Sequence, residues 1–216
     1  MCQRIGDQPE EAVIAFNLGR AYKDIPALRD LAQAERWYRR SLELFDERDR
    51  LGRGRCTIVL GTVAYERFKE ARDATPTPAL PLPGGGSREE VMRQHLNTAL
   101  DYYHQALDLL PPNAVNDLAV AHNQLGNFYE GAGDLDRALT HYREAARYFE
   151  AAGAIYNAAT VRRNVSLALL DTDRLADALA YAQAALRGFS TFGDRAADMI
   201  QRTQGLIALI QQKMQP

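Results

Sequence analysis

The residues of this chain that are able to do chemistry are few and widely separated. The histidines and cysteines fall in no metal-ligand or nucleophile spacing: His95, His104, His122, His141, Cys2 and Cys56. The stretch GGGSR at residues 84–88 is glycine-rich, but it lacks the Lys-Ser or Lys-Thr ending of a phosphate-binding loop and follows no strand pattern. No pair of carboxylates stands out as an acid–base couple. The sequence therefore predicts no catalytic residue, no metal ligand and no cofactor.

The composition is that of an ordinary globular protein. The chain has 216 residues, of which 46% are hydrophobic and 25% are charged, and its formal net charge is -2. This near-neutral balance favours neither nucleic acid nor a membrane surface as a partner, and no apolar run approaches the length of a membrane span. Because there are only two cysteines and the N-terminus lacks an apolar signal sequence, we expect a cytoplasmic location.

A pattern of small residues recurs four times. Four stretches that read as helices carry a small residue after an apolar one, at Gly19, Gly61, Gly126 and Ser166. Four further stretches carry an alanine and then alanine or serine seven residues later, at 34 and 41, 99 and 106, 138 and 145, and 178 and 185. Between these lie Tyr38, Tyr103 and Tyr142, and in the last stretch Ala182. Because a glycine inside a helix costs about 1 kcal/mol relative to alanine, its recurrence predicts helix pairs that pack closely.

This pattern resembles the tetratricopeptide repeat. The resemblance is most specific in the third unit, where the matching residues are Leu125, Gly126, Tyr129, Gly133, Asp134, Ala138, Tyr142 and Ala145. Gly19 and Gly61 are 42 residues apart and Gly126 and Ser166 are 40 apart, against about 34 in the common repeat. Such long units are similar to those of kinesin light chains and of bacterial signalling proteins. The resemblance implies an all-α fold, a right-handed α-solenoid of antiparallel helical hairpins with about nine helices.

We expect one repeat domain over residues 1–216, as a fragment of a larger protein. Helix pairs are predicted at 10–24 with 30–47, 52–73 with 87–110, 114–131 with 134–151, and 155–171 with 173–189, followed by a capping helix at 194–213. Residues 1–7 are interpreted as the end of a preceding repeat, and a short disordered N-terminus is the alternative.

The second helix pair contains a proline- and glycine-rich insertion at residues 74–90. Gly61 and Ala99 are 38 residues apart, whereas Gly126 and Ala138 are 12 apart. Proline and glycine stop helices, and the sequence from Ser87 to Glu90 has the form of a capping box. Both helices are therefore expected to extend beyond their neighbours, with residues 75–86 as a mobile tip. The insertion is either tolerated or a docking arm.

The resemblance also implies where a partner binds. In tetratricopeptide arrays the first helix of each unit lines a concave groove, and the polar residues at such positions include Asn17, Arg20, Asn123, Asn127, Arg163 and Asn164. Asparagine amides both donate to and accept from an extended peptide backbone, and arginine binds carboxylates bidentately. The alternative is that these are solvated polar residues of a curved surface. The clamp that binds chaperone tails is incomplete, because Asn127 matches its asparagine but Asn123 stands where lysine is expected.

We therefore predict a non-catalytic scaffold that binds a protein or peptide ligand. By analogy with STAND-class signal-transduction ATPases, the chain is expected to be the C-terminal sensor or interaction segment of a larger bacterial regulator. Two alternatives stay open: a self-association module that drives homo-oligomer assembly, and a receptor for a small molecule or signalling peptide.

Overall fold

The fold is built from helices. A computed structural model describes residues 8–74 and 87–215, and within these ranges there are nine α-helices, two short 3-10 helices and no strand. The α-helices are α1 Gln8–Asp24, α2 Leu31–Leu44, α3 Arg50–Asp73, α4 Arg88–Leu109, α5 Val115–Gly131, α6 Leu135–Ala151, α7 Ile155–Asp171, α8 Leu175–Ser190 and α9 Ala197–Lys213. The prediction of an all-α repeat is confirmed. In the part of the chain described, every helix is too short or too polar to cross a membrane.

The chain divides into two compact units, residues 1–111 and residues 112–216. In the first unit α1 packs against α2, α2 against α3, and α3 against α4. In the second unit α5 packs against α6, α6 against α7, α7 against α8, and α8 against α9. Neighbours in sequence are thus neighbours in space, as a helical repeat requires. That the whole chain is one domain of a larger protein stays a prediction, and residues 1–7 lie outside the described ranges.

Residues with left-handed backbone conformation close the turns between α5 and α8. Gly133 (φ 80°), Gly153 (φ 69°) and Asp173 (φ 58°) each follow a helix end. After the first of these, the N–H of Asp134 donates to the carbonyl of Tyr129 at 2.9 Å, and equivalent bonds of 2.8 and 2.9 Å close the other two turns. These bonds satisfy carbonyls that the helix end leaves free. Each helix is therefore folded back on the one before it by a turn of a few residues.

The small residues of the repeat lie where paired helices meet. A Cβ atom on Gly19, Gly61 or Gly126 would lie 2.7, 2.7 or 2.5 Å from a ring carbon of the facing tyrosine, which is Tyr38, Tyr103 or Tyr142 respectively. The residues of the second small-residue pattern are completely buried: Ala34, Ser41, Ala99, Ala106, Ala138, Ala145, Ala178 and Ala185. The spacing is therefore structural, and the prediction that Gly126 packs on the neighbouring helix beside two buried alanines is confirmed.

The hairpin of α3 and α4 is longer than the others. α3 has 24 residues and α4 has 22, compared with 17 in α5. The predicted capping box is present, because the N–H of Glu90 donates to Ser87 Oγ at 3.2 Å and the N–H of Ser87 donates to Glu90 Oε2 at 2.8 Å. Arg88 joins the two helix ends by donating to the carbonyl of Ala71 at 2.6 Å. The expected lengthening of both helices is confirmed, and the predicted mobile tip at 75–86 lies outside the described residues.

Two helix ends differ most from the prediction. α2 ends at Leu44 instead of residue 47, because Phe45 has an extended backbone (φ -69°, ψ 130°). Asp49 then caps the first turn of α3 by accepting a backbone hydrogen bond at 2.8 Å. α9 begins at Ala197 instead of residue 194, because residues 193–196 form a 3-10 helix. Both differences concern local backbone geometry at a helix end, which periodicity does not define.

Candidate partner-binding surface

The predicted groove residues lie on the first helices of three hairpins. Asn17 and Arg20 are exposed on α1 in the first unit, and Asn123, Asn127, Arg163 and Asn164 are half-buried on α5 and α7 in the second. α5 starts at Val115 and α7 at Ile155, so equivalent residues recur every 40 positions (155 − 115 = 40). Within the second unit the four residues therefore occupy corresponding faces of consecutive hairpins. That all six line one concave groove stays a prediction.

Asn127 takes part in the packing of its own hairpin. The hydroxyl of Tyr142 on α6 is hydrogen-bonded to Oδ1 of Asn127 at 2.8 Å and also to the carboxylate of Glu130. The amide nitrogen of Asn127 lies 3.4 Å from Oε1 of Gln124. Burial raises the pKa of Glu130, and the hydrogen bond from Tyr142 opposes that shift. Asn127 thus helps to orient Tyr142, a role that its position in the repeat did not indicate.

Asn123 and Arg163 each hold a buried polar atom that has no partner in the described ranges. Oδ1 of Asn123 and Nε of Arg163 are shielded from solvent, and neither has a hydrogen-bond partner among residues 8–74 and 87–215. Each stands three residues before the small residue of its helix, Gly126 or Ser166. A buried polar group without a partner costs about 1–3 kcal/mol. Both atoms are therefore candidates for a hydrogen bond to a ligand or to an ordered water.

A histidine pair joins α5 to α6 and was not predicted from the sequence. The Nδ1 atoms of His122 and His141 are 3.0 Å apart, and the His122 ring stacks on Tyr148 with the centroids 5.7 Å apart. Burial lowers the pKa of His122; the charge of Glu144 opposes this shift and that of Arg147 adds to it. Only the pairing of the two helices brings together these histidines, which are 19 positions apart in the sequence.

A pocket with a volume of about 200 Å³ lies between α6, α7 and α8, and it too was not predicted. This α6–α8 pocket is lined by Tyr142, Arg143, Ala146, Arg147, Glu150, Val161, Arg162, Val165 and Tyr181. Arg143 and Arg147 are one helical turn apart on α6, a spacing visible in the sequence. Arg162 joins them from α7, which no periodicity on α6 reveals. The pocket therefore gathers three arginines from two helices.

Comparisons with known proteins identify a repeat in the second unit. A protein-family model described as tetratricopeptide repeat matches residues 117–191. Over 54 residues, which are 24% of this chain, the sequence is 54% identical to the photosystem I assembly protein Ycf3 of Synechococcus elongatus, and Ycf3 of a second Synechococcus strain matches equally well. The chain covers 31% of the length of these relatives. The crystal structure of BtubC from P. vanneervenii is 17% identical, with a TM-score of 0.41 over 98% of this chain and 91% of that chain.

Proposed function

We propose that this chain, whose residues 117–191 match a tetratricopeptide repeat model, is a scaffold that binds a protein or peptide partner and has no catalytic chemistry of its own. The family assignment confirms the resemblance seen in the sequence. The observation that carries the proposal is the pair of buried polar atoms on Asn123 and Arg163, which have no hydrogen-bond partner in the described ranges. Their equivalent positions in consecutive hairpins suit one ligand that runs across both repeats.

The chemistry of these two side chains suits an extended peptide. Oδ1 of Asn123 accepts from a backbone N–H of the bound segment, and the amide nitrogen donates to a backbone carbonyl. Nε of Arg163 donates to a carbonyl or to a carboxylate. An extended peptide presents both kinds of group at about 3.3 Å per residue, so a single segment reaches consecutive repeats. Asn127 and Asn164 are the other residues of this surface in the second unit, and Asn17 and Arg20 are the predicted binding residues of the first unit.

The names of the relatives support a role in assembling proteins. Ycf3 is described as a photosystem I assembly protein, and the shared 54 residues correspond to 31% of its length. From this likeness we transfer only the general role, which is contact with protein partners during assembly. The photosystem itself is named for Ycf3 alone. Two finer expectations belong to the proposal as predictions: a place in a larger STAND-type bacterial regulator and a cytoplasmic location.

A peptide selected on the whole chain from a random phage-displayed library tests the proposal. We expect the Kd of the selected peptide, measured by fluorescence anisotropy, to rise about tenfold in Asn123→Ala and in Arg163→Gln, because each substitution removes a buried hydrogen bond to the ligand. Asn116→Ala is the matched control, since Asn116 is an exposed asparagine on the same helix. Its Kd should equal that of the wild type.

Three results would speak against the proposal. Failure of any peptide to enrich contradicts the binding function. A selected peptide that binds Asn123→Ala and Arg163→Gln as tightly as the wild type contradicts the proposed surface. If light scattering shows a homodimer that both substitutions dissociate, the ligand of this surface is a second copy of the chain, and the self-association alternative replaces the peptide.

A further inference from the structure

The α6–α8 pocket carries more positive charge than its own residues neutralise. Arg143, Arg147 and Arg162 line it together with a single carboxylate, Glu150, so the lining has an excess of two positive charges (3 − 1 = 2). Glu150 is paired with Arg162. Arg147 is held at 2.6 Å by Glu144, which does not line the pocket. Arg143 is therefore the arginine of the pocket whose positive charge is not paired with a carboxylate among the described residues.

Arg143 faces a hydroxyl instead of a carboxylate. Its Nε donates to the hydroxyl of Tyr181 on α8 at 3.3 Å, and within residues 8–74 and 87–215 it forms no ion pair. The charge of Asp177 acts on it as well, but the Asp177 carboxylate is paired with Arg174 at 2.7 Å. The guanidinium of Arg143 and the hydroxyl of Tyr181 are therefore adjacent polar groups in the lining of the pocket.

Arg162 is a partly buried lining residue of the pocket and lies near a further arginine, Arg187. Its side chain is 25% exposed, and its pKa is lowered first by burial and then by the charge of Arg187. A negative charge beside Arg162 offsets both effects. Glu150, whose side chain is 44% exposed, already supplies one such charge. The pocket thus holds a carboxylate of its own chain and has room for another.

We propose that the α6–α8 pocket binds one aspartate or glutamate side chain of an acidic segment in a partner protein, with Arg143 and Arg162 donating to its carboxylate. The inference rests on the proposed function in that the ligand belongs to a protein partner, but its site differs from the surface of Asn123 and Arg163. Apolar side chains also line the pocket, and they suit the methylene groups of the ligand: Ala146, Val161 and Val165.

Two physical arguments favour a carboxylate over a phosphoryl group. Arg162 is paired with a carboxylate of its own chain, that of Glu150, and a guanidinium matches the planar geometry of a carboxylate. A phosphoryl dianion would lie next to Glu150 and be repelled by it more strongly than a monoanion. Inorganic phosphate is therefore expected to bind more weakly than a glutamate-rich peptide.

The test follows the side-chain N–H signals of the arginines in the whole chain by NMR during titration. Oligoglutamate is the probe, and oligoglutamine of the same length is the control peptide. We expect oligoglutamate to shift the Arg143 and Arg162 signals in a saturable way, and Arg202, an exposed arginine paired with Asp198 on α9, to remain unshifted. Arg143→Gln should weaken binding about tenfold, since a charge-assisted hydrogen bond is lost.

Glu150→Gln separates a binding role from a structural one. It removes the competing carboxylate, so we expect binding to tighten about threefold even though the fold loses an ion pair. Arg202→Gln should leave the Kd unchanged.

Equal shifts at Arg202, unchanged binding in Arg143→Gln, or weaker binding in Glu150→Gln would each overturn the proposal. Saturation by inorganic phosphate at lower concentration than by oligoglutamate would overturn it in favour of a phosphoryl ligand. Because Asn123 and Arg163 are unaltered throughout, failure here leaves the proposed function standing.

Discussion

The hairpins α5–α6 and α7–α8 have different residues at the same buried contact between their two helices. In α5–α6, Gly126 leaves room for the ring of Tyr142, since a Cβ atom on the glycine would lie 2.5 Å from ring carbons Cδ1 and Cε1. In α7–α8 the equivalent residue is Ser166, whose Oγ donates to the carbonyl of Ala178 at 2.8 Å. There Ala182 stands in the place of Tyr142. The side chains at all of these contacts are completely buried.

The comparison shows that the hairpin constrains the combined volume of the facing pair more than either residue type. A large ring on α6 requires glycine on α5, whereas an alanine on α8 admits a serine on α7, because a close-packed interior tolerates neither overlap nor large voids. The serine also needs an acceptor, since a buried hydroxyl without one is costly. The fourth unit therefore departs from the tetratricopeptide pattern at both facing positions together.

The largest expected effect comes from filling the space that Gly126 leaves. Gly126→Leu forces a branched side chain against the Tyr142 ring, and we expect it to lower the free energy of unfolding by about 3 kcal/mol, at the upper end for overpacked cores. Urea unfolding of the whole chain measures this. Adding Tyr142→Ala should recover part of the loss, because the alanine makes room for the leucine. A midpoint equal to that of the wild type would show that the two helices do not meet closely at this glycine.

A smaller effect is expected at the equivalent position of α7–α8. Ser166→Ala keeps the packed volume nearly constant and removes one buried hydrogen bond, so we expect a loss of about 1 kcal/mol in the free energy of unfolding. Ser190→Ala is the matched control, because the Ser190 hydroxyl also donates to a helix carbonyl at 2.8 Å but the residue is exposed. The control should change stability by less than about 0.5 kcal/mol. If Ser166→Ala costs as much as Gly126→Leu, the two hairpins do not differ as described.

Most of the fold was predictable because it depends on local periodicity. The spacing of Gly126, Ala138 and Ala145 defines which faces of two neighbouring helices meet, and short turns leave little choice of partner. The capping box at Ser87 could likewise be recognised from four consecutive residues. The end of α2 at Leu44 was missed, because the extended backbone of Phe45 has no signal in the hydrophobic pattern.

Much less of the candidate site was predictable. The resemblance to tetratricopeptide repeats gives the groove-facing positions of each first helix, so it selected Asn123 and Arg163 as equivalent residues. It does not give the contacts of long side chains, which is why the contact of Asn127 with Tyr142 was missed. The arginine pocket depends on three helices at once, and Arg162 enters it from a helix other than that of Arg143. Such convergence follows from tertiary packing, which spacing along one helix does not encode.

The comparison also predicts that α5–α6 responds to acid in a way that α7–α8 does not, since the histidine pair joins only the first of these hairpins. Burial holds the pKa of His122 below its ordinary value of 6.5. The unfolded chain therefore binds more protons than the folded one between the folded pKa and about 6.5, and stability rises with pH in that window. This contribution is fully present above about pH 6.5 and is lost as the pH falls through the folded pKa.

Replacing His122 measures this smallest effect as a difference between variants. His122→Phe keeps a ring against Tyr148 and His141 but removes the titrating group, so its loss of stability between about pH 7.5 and about pH 5.5 should be smaller than that of the wild type. Glu130 titrates in the opposite sense, because burial raises its pKa, but it is present in both proteins and cancels in the difference. His104→Phe, at an exposed histidine, should follow the wild type at every pH.

Parallel pH profiles for the wild type and His122→Phe would show that the histidine pair contributes packing without pH dependence. We expect the effect to remain below that of Ser166→Ala, because His122 is only half-buried and the charge of Glu144 opposes part of the shift.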